Sequence, residues 1–73
     1  MEKITFGMCL KIAMILADVA PKELSSITGI SISRIYAYTG DKALPPTDRY
    51  FEIVMALEER RPGVSHILSA NDH

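Results

Sequence analysis

The sequence predicts an all-α domain, and three observations predict it. Apolar residues recur at spacings of three and four along most of the chain. No stretch of any length alternates apolar and polar residues at a period of two. Proline and glycine divide the chain into five short helical pieces, with no internal repeat.

The first helix is expected from about Thr5 to Val19. The second covers about Pro21 to Ile27, with Pro21 in the first turn, where a missing N–H costs nothing. It stops at Gly29, which can take a left-handed conformation without steric cost. The third starts on Ser31 as N-cap and runs to about Tyr38. Gly40 to Pro46 forms a connecting loop. Thr47 is expected to cap the fourth helix, which continues to about Arg60 and is ended by Pro62-Gly63. Ser65 is expected to cap a short fifth helix reaching Ser69, and the tail Asn71-Asp72-His73 is expected to fray.

Length and composition bound the answer. The chain has 73 residues, 48% of them hydrophobic and 23% charged, which fits one globular domain spanning 1–73. A domain this small has a marginal core, and dimerisation is one way to add stability. The single cysteine, Cys9, excludes an intrachain disulfide, so cysteine usage gives no sign of secretion. The apolar run from Ile4 to Ala20 resembles a membrane or signal segment, but Lys11 and Asp18 interrupt it and it falls short of a comfortable span. A cytoplasmic first helix, with no membrane partner, is the expectation.

Spacing also nominates the core. Leu24, Ile27, Ile30, Ile35 and Tyr38 are the buried candidates of the second and third helices. Tyr50, Ile53, Val54 and Leu57 form one stripe of the fourth, and Val64, Ile67 and Leu68 close the bundle. The first helix is apolar nearly all round. Phe6, Leu10, Ala13, Leu16, Ala17 and Ala20 make one face. Met8, Ile12, Ile15 and Val19 make a second, leaving a narrow polar stripe of Gly7, Lys11 and Asp18, with Met14 among them. A helix apolar all round calls for burial all round. The second face is therefore expected to be a subunit interface, the alternative being a central helix wrapped by the other four.

The segment from Pro21 to Tyr38 has the layout of a helix-turn-helix: short helix, glycine turn, serine-capped second helix. Leu24-Ser25, Gly29-Ile30-Ser31, Ile35 and Tyr38 fall in its register. On these residues the chain resembles the Cro/repressor-like, or xenobiotic-response-element-like, regulators. The likeness extends over about Pro21 to Ala70 and includes Leu44-Pro45-Pro46 and Val64-Ser65-His66-Ile67-Leu68. It implies a five-helix, lambda-repressor-like bundle. Leu24 and Ile35 would pack at the helix crossing, and Ser25, where the family usually has alanine, would keep the helices close. Thr28 departs from the large aliphatic usual there, and Ile27 is expected to take over that role. Gly40 arrives about one residue early.

The resemblance also implies a function: binding of double-stranded DNA by a homodimeric regulator of the phage, prophage or plasmid type, with the third helix in the major groove. With Ile35 and Tyr38 inward, Ser33, Arg34 and Ala37 face outward. The base-contact candidates are Ser31, Ile32, Ser33, Arg34 and Ala37. Arg34 is the sharpest of them, because its guanidinium can bond guanine O6 and N7 together. The phosphate-contact candidates are Lys22, Tyr36, Thr39, Lys42 and Arg49, with Lys22 at a helix start that already favours anions. One feature opposes this reading. The net charge is -1, from 8 Lys+Arg against 9 Asp+Glu, and phosphate binding usually wants a basic surface. The rival reading is a helical protein-interaction module without DNA binding.

Chemistry is sparse. His66 and His73 have no second ligand at zinc spacing, and Cys9 lacks a basic neighbour at the next turn. There is no glycine-rich phosphate loop and no nucleophile elbow. Asp41 and Asp48 read as turn or helix-start residues. No enzyme activity, metal, cofactor or small-molecule ligand is expected.

Overall fold

The computed structural model describes residues 4–70. Among these lie five helices and no strands: α1 (Phe6–Ala17), α2 (Pro21–Thr28), α3 (Ile32–Thr39), α4 (Thr47–Arg60) and α5 (Val64–Leu68). The expected fraying of Asn71-Asp72-His73 falls outside the described residues. α1 packs against α5, α3 and α4; α2 packs on α3 and α4; and α4 packs on α5. The radius of gyration is 11.0 Å, the compactness that size scaling gives for a chain of this length.

Both ends of α1 are built locally. The Thr5 hydroxyl oxygen accepts the Met8 N–H at 3.2 Å, a side-chain N-cap. At the other end Asp18 turns left-handed, with φ 56°. The Asp18 N–H then bonds the Ile15 carbonyl at 3.1 Å and the Val19 N–H bonds the Met14 carbonyl at 2.9 Å, a Schellman pair. The helix thus ends at Ala17 rather than Val19. The turn also takes Val19 out of helical phase and into the core, where it is 4% exposed. Val19 is therefore not part of an outward face, and its place among the interface candidates is corrected.

The buried arc of α1 is wider than spacing suggested, because three helices lean on it. Gly7 and Met14, placed in the polar stripe, are buried. Leu16 and Ala20, placed on the core face, are exposed. What remains outside is one strip: Met8, Lys11, Ile12, Ile15 and Leu16.

From Pro21 to Tyr38 the burial and turn geometry agree with the spacing except at Ile27. Leu24 and Ile35 are both fully buried. Ser25 donates its hydroxyl to the Ile30 carbonyl, which brings the turn against α2. Gly29 takes φ 77°, the left-handed value a C-cap needs. Ile27 points outward at 44% exposure, so it does not take over the inward role. Thr28 occupies that position with hydrogen bonds instead. Its hydroxyl donates to the Leu24 carbonyl at 2.7 Å and accepts the Ile30 N–H at 3.2 Å.

The second half of the core is Ile53, Ala56, Leu57, Val64 and Leu68, with Tyr50, Val54 and Ile67 partly buried against it. Burying each large aliphatic side chain contributes about 1.5–3 kcal/mol. Two expected caps are replaced. Pro46, not Thr47, is the N-cap of α4 and gives no side-chain bond. Ser65 lies inside α5, whose N-cap is Gly63. A side chain from α4 does the capping: Glu58 Oε2 accepts the Gly63 N–H at 2.8 Å and Oε1 accepts the Ser65 N–H at 3.1 Å.

Candidate nucleic-acid interface

Ser31 sets the start of α3. Its backbone is extended and its Oγ accepts the Arg34 N–H at 3.3 Å. Ile35 and Tyr38 then fall one turn apart on the buried side, at 0% and 3% exposure. This anchoring decides what faces out. Ser31, Ile32, Ser33, Arg34 and Tyr36 are all exposed. Four of the five base-contact candidates, Ser31 through Arg34, therefore lie together at the outer start of the helix.

Ala37 is only half-buried, because the chain beyond α3 folds back onto its carbonyl, which accepts the N–H of Lys42 at 2.9 Å and of Ala43 at 3.3 Å. The turn itself is carried by Asp41 at φ 59°, while Gly40 sits at φ −90°.

The phosphate-contact candidates divide. Lys22 is exposed in the first turn of α2, and no side chain caps that end. Tyr36 and Lys42 are exposed. Arg49 is exposed but engaged, bonding Glu52 of the next turn at 3.0 Å. An ion pair this open contributes about 0–1 kcal/mol, so a phosphate oxygen can displace the carboxylate. Thr39 is corrected. It is 8% exposed, and its hydroxyl donates to the Tyr36 carbonyl at 3.1 Å, so it is turned into the bundle and offers nothing to a phosphate.

The acidic groups around α3 are held away from its outer face. Asp41 follows the helix directly, yet both its oxygens point to α1. Oδ2 accepts the Thr5 hydroxyl at 2.6 Å and Oδ1 accepts the Gly7 N–H at 2.9 Å. These two bonds, the Thr5 hydroxyl first, hold the Asp41 carboxyl below its ordinary range. Glu23 on α2 is paired with Arg60 at 2.7 Å. Sequence reasoning read Asp41 only as a turn residue and missed its hold on α1. The available signal was Gly7, since glycine inside a strongly apolar helix marks a close approach.

Among the described residues, no group of three or more His, Cys, Asp or Glu stands close enough to hold a metal ion. Cys9 is buried and His66 is exposed. No described helix is long and apolar enough to cross a membrane. Compared with known proteins, the chain matches no family model, no curated protein and no solved structure.

Proposed function

We propose that this chain is a sequence-specific regulator that binds double-stranded DNA, with α3 as the helix that enters the major groove. The fold reading that goes with it is a lambda-repressor-like bundle, acting as a homodimer of the repressor type. One observation carries the proposal: the start of α3 presents Ser31, Ile32, Ser33 and Arg34 outward together, on a helix fixed from behind by Ile35 and Tyr38. A helix held that rigidly can offer side chains to base edges in a reproducible register. Lys22, Tyr36 and Lys42 would supply positioning contacts to phosphate. A two-fold dimer would read two half-sites about one helical turn apart.

The test is selection from a pool of random duplex DNA, sequencing the retained fraction at two salt concentrations. An enriched inverted repeat, retained less well as salt rises, supports the proposal. A folded protein that enriches nothing at low salt rejects it. The rival, a protein-binding module, is favoured by the net charge of -1 and by exposed Ile27, Phe51 and Met55 on α2 and α4.

A further inference from the structure

The outer strip of α1 is an apolar surface without a covering among the described residues. Ile15 is 76% exposed, Ile12 48% and Met8 43%. These positions recur at helical spacing on one side of α1, so they form one surface. Lys11 and Asp18 flank Ile15 along the same edge of that surface, two turns apart. Among the described residues neither makes an ion pair. Lys11 does lie near the Asp41 carboxylate, but that group is already held by Thr5 and Gly7. Asp18 is placed unfavourably, since a carboxylate at a helix C-terminus meets the negative end of the dipole. A cation from outside the chain would relieve it.

A helix with a cation four residues before a central apolar residue and an anion three residues after it, on one edge, is complementary to itself when reversed, to within about one residue's rise of 1.5 Å. An antiparallel pair related by a two-fold axis brings equal edges together. With the axis beside Ile15, each Lys11 meets the partner's Asp18, and each Met8 lies over the partner's Pro21. Beside Pro21 runs a groove of about 460 Å³, lined by Met14, Val19 and Ala20 and also by Lys11 and Asp18. We propose that two copies of this chain associate through antiparallel α1 helices, with Ile15 at the two-fold axis and reciprocal Lys11–Asp18 ion pairs. The interface is isologous, so it closes at two copies. It deepens the DNA-binding reading by supplying that reading's two-fold. It is tested without DNA, so failure of either is told from failure of the other.

The experiment is analytical ultracentrifugation of the full chain over a concentration series, with circular dichroism to verify folding of each variant. The unaltered chain is expected to dimerise, and Ile15→Glu to be a folded monomer. Met55→Glu, which alters the exposed apolar surface of α4, is expected to leave the dimer intact. Lys11→Glu sets like charges across the axis, and so does Asp18→Lys. Each alone is expected to weaken association by about tenfold or more. Mixed together, these two variants restore both ion pairs in one heterodimer, so tight association returns only on mixing. A monomeric unaltered chain overturns the proposal. So does a dimer that survives Ile15→Glu but not Met55→Glu, or charge variants that do not associate on mixing.

Discussion

Gly7 and Thr39 meet at a distance that excludes any side chain: a Cβ on Gly7 would lie 2.6 Å from the Thr39 carbonyl oxygen. The same Cβ would lie 2.7 Å from Asp41 Oδ2. The start of α1 thus rests directly on the end of α3. In an open helix Gly→Ala gains about 0.8–1 kcal/mol of propensity. Here the obstacle is backbone, which cannot rotate away, and overpacking costs about 1–3 kcal/mol. Gly7→Ala is expected to destabilise, seen as a lower thermal midpoint. A higher midpoint would refute the close contact.

Acid should loosen the same junction. The Asp41 carboxyl lies below its ordinary value of 3.8, held there by the Thr5 hydroxyl and the Gly7 N–H. The Glu58 carboxyl lies below its ordinary value of 4.5, held by the Gly63 and Ser65 N–H groups. For both, the unfolded chain takes up protons first as pH falls. Their contribution is therefore complete above the ordinary values and is lost as pH drops from about 4.5 through the lower folded-state values. Denaturant midpoints measured between pH 7 and pH 3 should hold steady and then fall. Asp41→Asn should flatten that acid limb. Asparagine tolerates the left-handed backbone and can still accept from Gly7, but not from Thr5 and Gly7 at once.

Glu58 acts as the cap that α5 lacks in its own sequence. Glu58→Ala removes both acceptors from the first turn of a five-residue helix. Hydrogen exchange at the Gly63 and Ser65 amides should accelerate, with little change at the amides of α2. Unchanged exchange at those two positions would show that water caps α5 equally well.

The cap of α3 offers a separate lever on stability. Ser31→Ala should cost about 0.5–2 kcal/mol, the usual range for an N-cap. Ser31→Asp should retain most of the stability, because it restores an acceptor for the Arg34 N–H. If DNA is the partner, that added carboxylate at the groove should still weaken binding.

Arg34→Ala tests the proposed function against the fold. The side chain is exposed and makes no ion pair among the described residues. Its loss should leave the thermal midpoint unchanged. Loss of a bidentate guanine contact, about 1–3 kcal/mol, should reduce specific affinity roughly 5- to 150-fold and relax the preference at one base position. Lys22→Ala, at a proposed phosphate contact, should instead weaken all sequences alike and lower the salt dependence.

Much of this architecture follows from local rules, and those rules are local in sequence. Ser31 caps α3, Gly29 turns left-handed and Ile35 with Tyr38 face inward, because caps, φ values and 3.6-residue spacing involve neighbours a few positions apart. The outward position of Ser33 and Arg34 follows from the same spacing, whereas Ala37, which that spacing also places outward, is half-buried. Misreadings arose where a residue answers to something distant or to a change of phase. Val19 continues the apolar stripe on paper, but a left-handed Asp18 swings it inward. Thr39 carries a hydroxyl suited to phosphate, but the close approach of α1 buries it. Ile27 is more apolar than Thr28, yet two hydrogen bonds carry Thr28 inward and leave Ile27 outside.

An all-α chain, the order of its helices and the outward side of Ser33 and Arg34 are legible in the residues alone, because helix periodicity and capping are written within a turn or two of each residue. Which parts of α1 are covered, the tie from Asp41 to α1 and the capping of α5 by Glu58 arise from packing instead. Asp41 and Gly7 are 34 positions apart. Which distant carboxylate satisfies which helix end depends on how the helices pack, and helical spacing carries no record of that.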